Sequence, residues 1–407
     1  VIGAGYSGIA AAAAMLAEGI DVDVLDKRDD VGGLWLDGVY RSVRLITTNK
    51  RSAYPGRPMI SADVFPSSAE MLTYLRGVAA DTGVRDRLIT RDVVSVAPKD
   101  GRWSVDGTMY DGVVLATGLF SDPYIPDVQG DPTIKSLHTS DYRDVRELGD
   151  DVLVIGMGNS GADVAHDCIK AGKRVTIASG RGRHIIPKRI LGRPVVDVQR
   201  PWFVPDLASR VAMDLSVRAL SAFWRRGHLD EPRHLLLSET PVIHSALLPL
   251  ISDGSIEIRP KVAHIDGSMA EFVDGSSSQF DTIVWATGYR YQLPVERSLI
   301  DGSTAAYGSS ALSLVGGVWS SLTAGLACVG YREPRHGRGP YLHAVAELTA
   351  AGARAQDQIK EPIGALLAEI AAPTAGELID DGPEIRRVQR LTEAARMIAA
   401  PSRSATI

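Results

Sequence analysis

Val1-Ile2-Gly3-Ala4-Gly5-Tyr6-Ser7-Gly8, the Ala-rich run to Ala17 and the stretch Ile20-Asp21-Val22-Asp23-Val24-Leu25-Asp26 decide the fold. Two apolar residues feed a glycine turn, the turn feeds a helix-forming run, and Ile20 to Asp26 alternates apolar and acidic residues as a strand does. This is a strand–helix–strand unit with Gly-x-Gly-x-x-Gly at its first corner. Gly3 permits the tight turn, Gly5 lets a pyrophosphate approach the backbone, and Gly8 lets helix and strand touch. The helix N-terminus adds partial positive charge. Asp26, eighteen residues past Gly8, ends the second strand, where its carboxylate can accept hydrogen bonds from ribose hydroxyls.

The same grammar restarts at Asp151. Asp151 to Ile155 reads as a strand, Gly156-Met157-Gly158-Asn159-Ser160-Gly161 as the turn, an Ala-containing run as the helix, and Arg174 to Ala178 as the next strand. Ser179, Arg181 and Arg183 follow this strand in place of an acid. A carboxylate there would repel a 2′-phosphate, whereas arginine gives it charge-assisted hydrogen bonds, so the second motif is expected to prefer NADPH to NADH. Ser160 is not a hydrolase nucleophile, because Ala162 stands where Gly-x-Ser-x-Gly requires its last glycine.

A further duplication relates Val113-Val-Leu-Ala-Thr-Gly118 to Ile283-Val-Trp-Ala-Thr-Gly288, each an apolar strand ending in a small-residue turn. The second copy lies beyond the second strand–helix–strand unit. The expected fold is therefore α/β, with two Rossmann-like dinucleotide-binding domains, the inner one (residues 150–280) inserted into the outer one (residues 1–145 plus 285–407). Two dinucleotides on one chain argue for electron transfer from a nicotinamide to a second cofactor, most economically FAD. FAD then belongs to the outer domain and NADPH to the inner one. The Pro-rich stretches Asp122 to Pro126 and Tyr289 to Pro294 are expected hinges.

Composition narrows the function. The 407 residues exceed one ordinary domain, and 44 basic against 49 acidic residues give no basic face for nucleic acid. Cys168 and Cys328 are 160 residues apart, which excludes a Cys-x-x-Cys redox pair, and the nine histidines lack metal-ligand spacing. No metal is expected. No apolar run reaches the roughly 18 to 20 residues of a membrane span, so a cytoplasmic protein without a membrane span is expected. A buried parallel strand usually runs about five residues, so the chain is expected to continue upstream of Val1.

Taken together, Gly3 to Gly8, Asp26-Lys27, Gly32-Gly33-Leu34-Trp35, Thr47-Thr48-Asn49, Ala116-Thr117-Gly118, His138 to Tyr142, the second glycine motif and Ala286-Thr287-Gly288-Tyr289 resemble the flavin-containing monooxygenases with two dinucleotide domains, over most of the chain. The resemblance implies that Gly33, Leu34 and Trp35 lie along FAD, that Val93, in a strand read over Val93-Val94-Ser95-Val96, offers its backbone to the adenine, and that the loop ending in Thr48 and Asn49 reaches the reactive edge of the flavin. It gives Asn49 a catalytic role, holding the peroxide formed on the flavin together with bound NADP⁺. A neutral amide can donate to a developing peroxide oxygen without supplying the proton that releases hydrogen peroxide. Tyr6, Ser7, Lys27, Ala116, Thr117 and Gly118 are expected at FAD. Thr287, Gly288 and Tyr289 are expected to line the cleft between the domains.

The family fingerprint is half present: His138 and Tyr142 match, but Pro132 and Ile134 stand where Phe and Gly are expected. Baeyer–Villiger relatives carry Trp at the aromatic position, so Tyr142 leans towards heteroatom oxygenation. His138 is equally compatible with fixing the interdomain linker and with touching NADP⁺. The implied activity is an NADPH- and FAD-dependent monooxygenase that inserts one oxygen of O₂ into a small organic substrate through a C4a-(hydro)peroxyflavin, with N- or S-oxygenation first. Baeyer–Villiger oxidation or oxidative decarboxylation of a 2-oxo acid by the same flavin chemistry stays open, as does a flavin reductase without oxygen insertion. Partners are expected to be the substrate and O₂, with a homodimer unsurprising.

Three segments are read as scaffold. Leu207, Val211, Leu215 and Phe223, ahead of Trp224-Arg225-Arg226, are spaced to cover the nicotinamide domain, with a membrane-surface stripe or a lid over a substrate tunnel as the alternatives. The tail after Gln356 reads as a surface helix pair with a frayed Ser-rich end, and Arg335-His336-Gly337-Arg338 as a basic, flexible loop that, with His343 on the next helix, faces either solvent or the flavin and its substrate.

Overall fold

The structure is a computed structural model and describes residues 1–198, 204–222, 229–307, 311–373 and 378–400. The chain forms two compact units, one of Val1–Asp37, Asn49–Asp122 and Arg290–Ile407, the other of Gly38–Thr48 and Pro123–Tyr289.

The first unit is built on a parallel sheet. Leu88–Thr90 pairs with Val24–Asp26, Ile2 bridges Leu25 and Leu115, and Val113–Leu115 pairs with Leu326–Cys328. Val24, Leu25, Leu115 and Leu326 are buried, the continuous apolar pattern of strands covered on both faces. The Tyr6–Ala17 helix buries Ile9 to Ala12, and the small side chains of Ala10, Ala11 and Ala12 suit its close packing on the long Arg338–Gln356 helix. The Asp381–Ala399 helix packs on the same long helix through Val388, Leu391 and Ala395, so the tail supplies core as well as surface. The strand expected over Ile20 to Asp26 is shorter than its pattern: only Val24–Asp26 pairs, because its neighbour Leu88–Thr90 has three residues.

The second unit carries a five-stranded parallel sheet in the order Ile256–Arg259, Arg174–Ala178, Asp151–Ile155, Thr282–Trp285, Lys135–His138. The Asn159–Lys170 helix covers it with Ala162, Val164, Ala165 and Cys168. A four-stranded sheet of Ser277–Gln279, Met269–Phe272, Val262–Gly267 and Gln129–Pro132 lies in the same unit.

The Asp206–Ala222 helix departs from its reading. Leu207, Val211 and Leu215 are exposed, while Asp214, Val217 and Ser221 are buried. The inward face accepts a carboxylate because Arg218 Nε and the Leu236 N–H both donate to Asp214, at 2.6 and 2.9 Å. Phe223 and Trp224 to Arg226 lie outside the described residues. Among the described residues, no helix is long and apolar enough to cross a membrane.

Candidate active site

In the first unit three glycine-containing stretches meet. Gly3 has φ +105°, and a Cβ on it would lie 2.4 Å from the Ala116 carbonyl oxygen. On Gly8 a Cβ would meet the Gly3 carbonyl at 1.8 Å, and on Gly33 (φ +55°) it would meet Gly5 Cα at 2.8 Å. Only glycine fits these contacts. Gly118 faces open space, with nothing within 4 Å of the point a Cβ would occupy.

Asp26 closes this cradle from below. One carboxylate oxygen accepts from the Ala4 N–H at 2.7 Å and the other from the Arg28 N–H at 2.9 Å, so the acid holds the glycine loop. Lys27 is exposed, and Leu34 and Trp35, half-buried, open the short Leu34–Asp37 helix. Thr117 is tied by its N–H and hydroxyl to the Tyr331 phenol, at 3.2 and 2.9 Å. Ser7 is buried against Gly330, where a Cβ would come within 2.1 Å of its hydroxyl oxygen. Val93 is not in a strand; pairing begins at Val96, because Val94 and Ser95 spend their N–H groups on the Asp106 carboxylate. It still lies two residues beyond Arg91, whose N–H donates to the Asp26 carbonyl at 2.7 Å.

Asn49 opens the Asn49–Ser52 turn of helix in the same unit. Its N–H donates to the Val64 carbonyl at 2.8 Å, its side-chain oxygen accepts from the Lys50 N–H at 2.8 Å, and its amide nitrogen approaches the Met59 carbonyl at 3.4 Å. The turn is tethered to the first glycine motif: the Tyr6 hydroxyl donates to the Ser52 carbonyl, the Tyr54 hydroxyl donates to the Tyr6 carbonyl, and the two rings lie 5.1 Å apart. Burial pushes both phenols up, so they stay protonated donors. Gly337 and Gly339 press on Arg51 and Ala53, where a Cβ would meet backbone at 2.7 and 2.0 Å. Thr48 belongs to the other unit, buried, with its hydroxyl 3.4 Å from Asp197.

The second unit repeats the construction. Gly156 has φ +107° and a Cβ on it would lie 2.4 Å from the Ala286 carbonyl; on Gly161 it would meet the Gly156 carbonyl at 2.2 Å. Gly158 and Gly288 face open space. Asn159 donates to the Pro241 carbonyl at 3.2 Å and accepts from the Ile243 N–H at 2.8 Å, and the Ser160 hydroxyl bonds the Tyr40 phenol. Beyond the strand, Ser179 bonds the Arg181 carbonyl at 2.9 Å, and Arg181 and Arg183 both reach Glu239.

The Thr287 hydroxyl donates to the Tyr124 carbonyl, and the Gly288 carbonyl accepts from the Tyr124 N–H at 3.0 Å. His138 is buried, with Nε2 3.0 Å from the Gly288 carbonyl, Nδ1 3.0 Å from the Ser140 hydroxyl, and its ring edge-on to Tyr289. Burial lowers its pKa, so at neutral pH it is an uncharged positioning residue. Tyr142 is fully buried, with its hydroxyl donating to Asp167 at 2.9 Å, and belongs to the core of the second unit.

Tyr331, Tyr54 and Glu239 are site features without a sequence signal, since each is positioned by residues distant along the chain. Arg335 to Arg338 is held by side-chain contacts: Arg338 pairs with Glu333 at 2.6 Å, and His336 Nδ1 is hydrogen-bonded with Asp381 Oδ1 at 2.5 Å. His336, Asp380 and Asp381 bring their polar atoms within 4.8 Å of one another, a grouping that includes this hydrogen bond.

Two glycine cradles, one backed by an acid and one followed by paired arginines, define a two-dinucleotide oxidoreductase. The bare glycine faces and the open space at Gly158, Gly118 and Gly288 fit a pyrophosphate-bearing cofactor in each. The family model described as flavin-binding monooxygenase-like matches residues 1–334, and the chain belongs to this family. It is 30% identical over 312 residues to indole-3-pyruvate monooxygenase YUCCA1 of Oryza sativa subsp. japonica, covering 72% of this chain and 77% of that protein. To flavin-containing monooxygenase 5 of Oryctolagus cuniculus it is 28% identical over 334 residues, covering 72% of this chain and 62% of that one. The NADP⁺-bound cyclohexanone monooxygenase from Rhodococcus sp. Phi1 shares the fold, with a TM-score of 0.72, 17% identity, and 98% and 97% of the two chains covered. The protein is a flavin-dependent monooxygenase.

Proposed function

We propose that the protein oxidises NADPH and places one oxygen atom of O₂ on a soft nitrogen or sulfur centre of a small organic substrate. The duplicated cradle supports the two-cofactor part of this reading, with Gly3 seated on Ala116 and Gly156 seated on Ala286 in the same way but with opposite charge beyond them, and Tyr142, standing where Baeyer–Villiger relatives carry Trp, supports the preference for nitrogen or sulfur. When bound, the cofactors supply hydride transfer and oxygen activation.

The chain supplies positioning. Gly3, Gly5, Gly8 and Gly33 admit the FAD pyrophosphate, Asp26 faces the ribose, Val93 the adenine, and Ala116 to Gly118 the open side of the cradle. Gly156 to Gly161 admit the NADPH pyrophosphate, and Ser179, Arg181 and Arg183 receive its 2′-phosphate. Asn49 presents an amide N–H, which donates to an oxygen at the flavin edge without surrendering a proton. His138 holds the Gly288 turn rather than reacting.

A second reading transfers the oxygen to the carbonyl of a 2-oxo acid, and it is favoured by the activity named for the rice relative, an indole-3-pyruvate monooxygenase. The test incubates the FAD-loaded protein with NADPH, O₂ and, in turn, a thioether, a tertiary amine, indole-3-pyruvate and cyclohexanone. An S- or N-oxide formed in step with NADPH consumption supports the first reading. Decarboxylated acid from indole-3-pyruvate alone supports the second, an ester from cyclohexanone indicates Baeyer–Villiger chemistry, and complete release of hydrogen peroxide with every compound contradicts oxygen insertion.

A further inference from the structure

We infer that Glu239 sets how strongly the second cradle prefers a 2′-phosphorylated nucleotide, by acting as a built-in carboxylate competitor for Arg181 and Arg183. The inference rests on the reading of those two arginines as the 2′-phosphate site.

Glu239 spans both guanidinium groups. Arg181 Nη1 donates to its Oε1 and Arg183 Nη1 to its Oε2, each at 2.8 Å. A carboxylate with one oxygen on each of two arginines occupies the same kind of donor pair that a phosphate would use. The group is also anchored from behind. The Thr240 carbonyl accepts from Arg183 Nη2 at 3.2 Å, the Val242 N–H donates to the His184 carbonyl at 2.9 Å, and Asn159 of the glycine motif holds the Pro241 carbonyl and the Ile243 N–H. The glycine turn that faces the pyrophosphate and the backbone that carries Glu239 are thus fixed to each other through one side chain.

The arginine loop is equally constrained. The Ser179 N–H donates to the Arg259 carbonyl at 3.0 Å, and a Cβ on Gly182 would lie 2.4 Å from the Asp230 carbonyl oxygen. Lys261 packs its aliphatic stem against Gly180. With the backbone tied down on both sides of the clamp, an incoming phosphate shares the arginines with the carboxylate or displaces it by side-chain rotation.

The charges give the sign. Arg181, Arg183 and Glu239 sum to a single positive charge, and the carboxylate repels a doubly charged phosphate at close range. A ribose 2′-hydroxyl, in contrast, can donate to the carboxylate. Glu239 therefore works against the 2′-phosphate and for the free hydroxyl. Its side chain is one-third exposed, so solvent screens the effect and the change expected on removing its charge is roughly fivefold to tenfold in affinity.

The test is calorimetric titration of the FAD-loaded full chain with adenosine 2′,5′-bisphosphate and with 5′-AMP, which differ only in the 2′-phosphate, for the parent, Glu239→Gln, Glu239→Ala and Arg183→Ala. Glu239→Gln should bind the bisphosphate about fivefold to tenfold more tightly than the parent, with 5′-AMP unchanged or weaker. Unchanged or weaker bisphosphate binding in the Gln variant overturns the inference and leaves Glu239 as an organiser of the arginines. Glu239→Ala gives the same reading if the Gln variant loses flavin absorbance. Should the parent and Arg183→Ala both bind the two nucleotides alike, the 2′-phosphate reading of the arginines is itself wrong, an outcome distinct from failure of the Glu239 inference alone.

Discussion

Replacing Asp163 by Asn should reshape the acid side of the stability profile. Asp163 lies in the helix behind the second glycine motif; one carboxylate oxygen accepts from the Tyr40 hydroxyl at 2.7 Å, and the other lies 3.6 Å from His244 Nε2. Burial pushes its carboxyl up from 3.8 to about 6, with Asp167 adding to the rise while Tyr40, Lys188 and Lys170 oppose it. Burial lowers His244 from 6.5 to about 4, and His166, Lys188 and Lys170 act in the same direction. Between those values the folded protein keeps Asp163 protonated and His244 neutral, whereas the unfolded chain reverses both.

The signs are opposite. For Asp163 the folded state binds more protons, so its contribution is zero below the unfolded value of 3.8 and becomes a full penalty above about 6. For His244 the unfolded state binds more, so the penalty is full below about 4 and gone above 6.5. In the native chain the two slopes offset each other. A shift of roughly two pH units is worth ~3 kcal/mol, reduced to ~2 kcal/mol by the remaining solvent access of the carboxylate. Asn preserves the acceptor for Tyr40 and removes the charge. Asp163→Asn should therefore be ~2 kcal/mol more stable than the parent at pH 7 to 8, a rise of roughly 4–8 °C in the melting midpoint of a unit this size. It should then lose stability steeply from pH 6.5 to 4, where His244 is unopposed. Thermal melts from pH 4 to 8 read this directly. A variant less stable than the parent at pH 8, or one with the parent's pH profile, refutes the reasoning.

Gly156→Ala places a methyl 2.4 Å from the Ala286 carbonyl at a positive φ, and should weaken NADP⁺ binding at least tenfold in a fluorescence titration while flavin absorbance is retained. Gly3→Ala makes the same clash with Ala116 and should instead purify with little bound FAD. Asn49→Ala should keep the yellow colour and NADPH oxidation but leak hydrogen peroxide, measured by a peroxidase-coupled assay; unchanged coupling removes Asn49 from the chemistry. Tyr331→Phe leaves the Thr117 N–H without its phenol acceptor and should cost about 1–2 kcal/mol, seen as a lower melting temperature.

Much of this site was legible because its chemistry is local. Gly3, Gly8, Gly156 and Gly161 are required by contacts within a strand–turn–helix corner, and Asp26 is placed by the register of the next strand. What escaped was non-local. Glu239 reaches Arg181 and Arg183 from 58 and 56 residues away, and Tyr54 joins the Asn49 turn to Tyr6 through hydrogen bonds that no spacing announces. The stripe of Leu207, Val211 and Leu215 was misread because periodicity reports a face and not its direction. The adjacent face of Asp214, Val217 and Ser221 is the one turned inward, its buried acid satisfied by Arg218 and the Leu236 N–H. Val93 fell outside its strand for a similar reason, since Asp106 claims the N–H groups beside it.

The central claim is that this chain uses both cradles to move one oxygen atom from O₂ to a substrate. Turnover of the FAD-loaded protein under ¹⁸O₂ with NADPH and a thioether, read by mass spectrometry, tests it most directly. The account predicts one ¹⁸O in the product for each NADPH consumed. Product without label, or NADPH consumed with all the oxygen recovered as hydrogen peroxide across the four substrate classes, contradicts it.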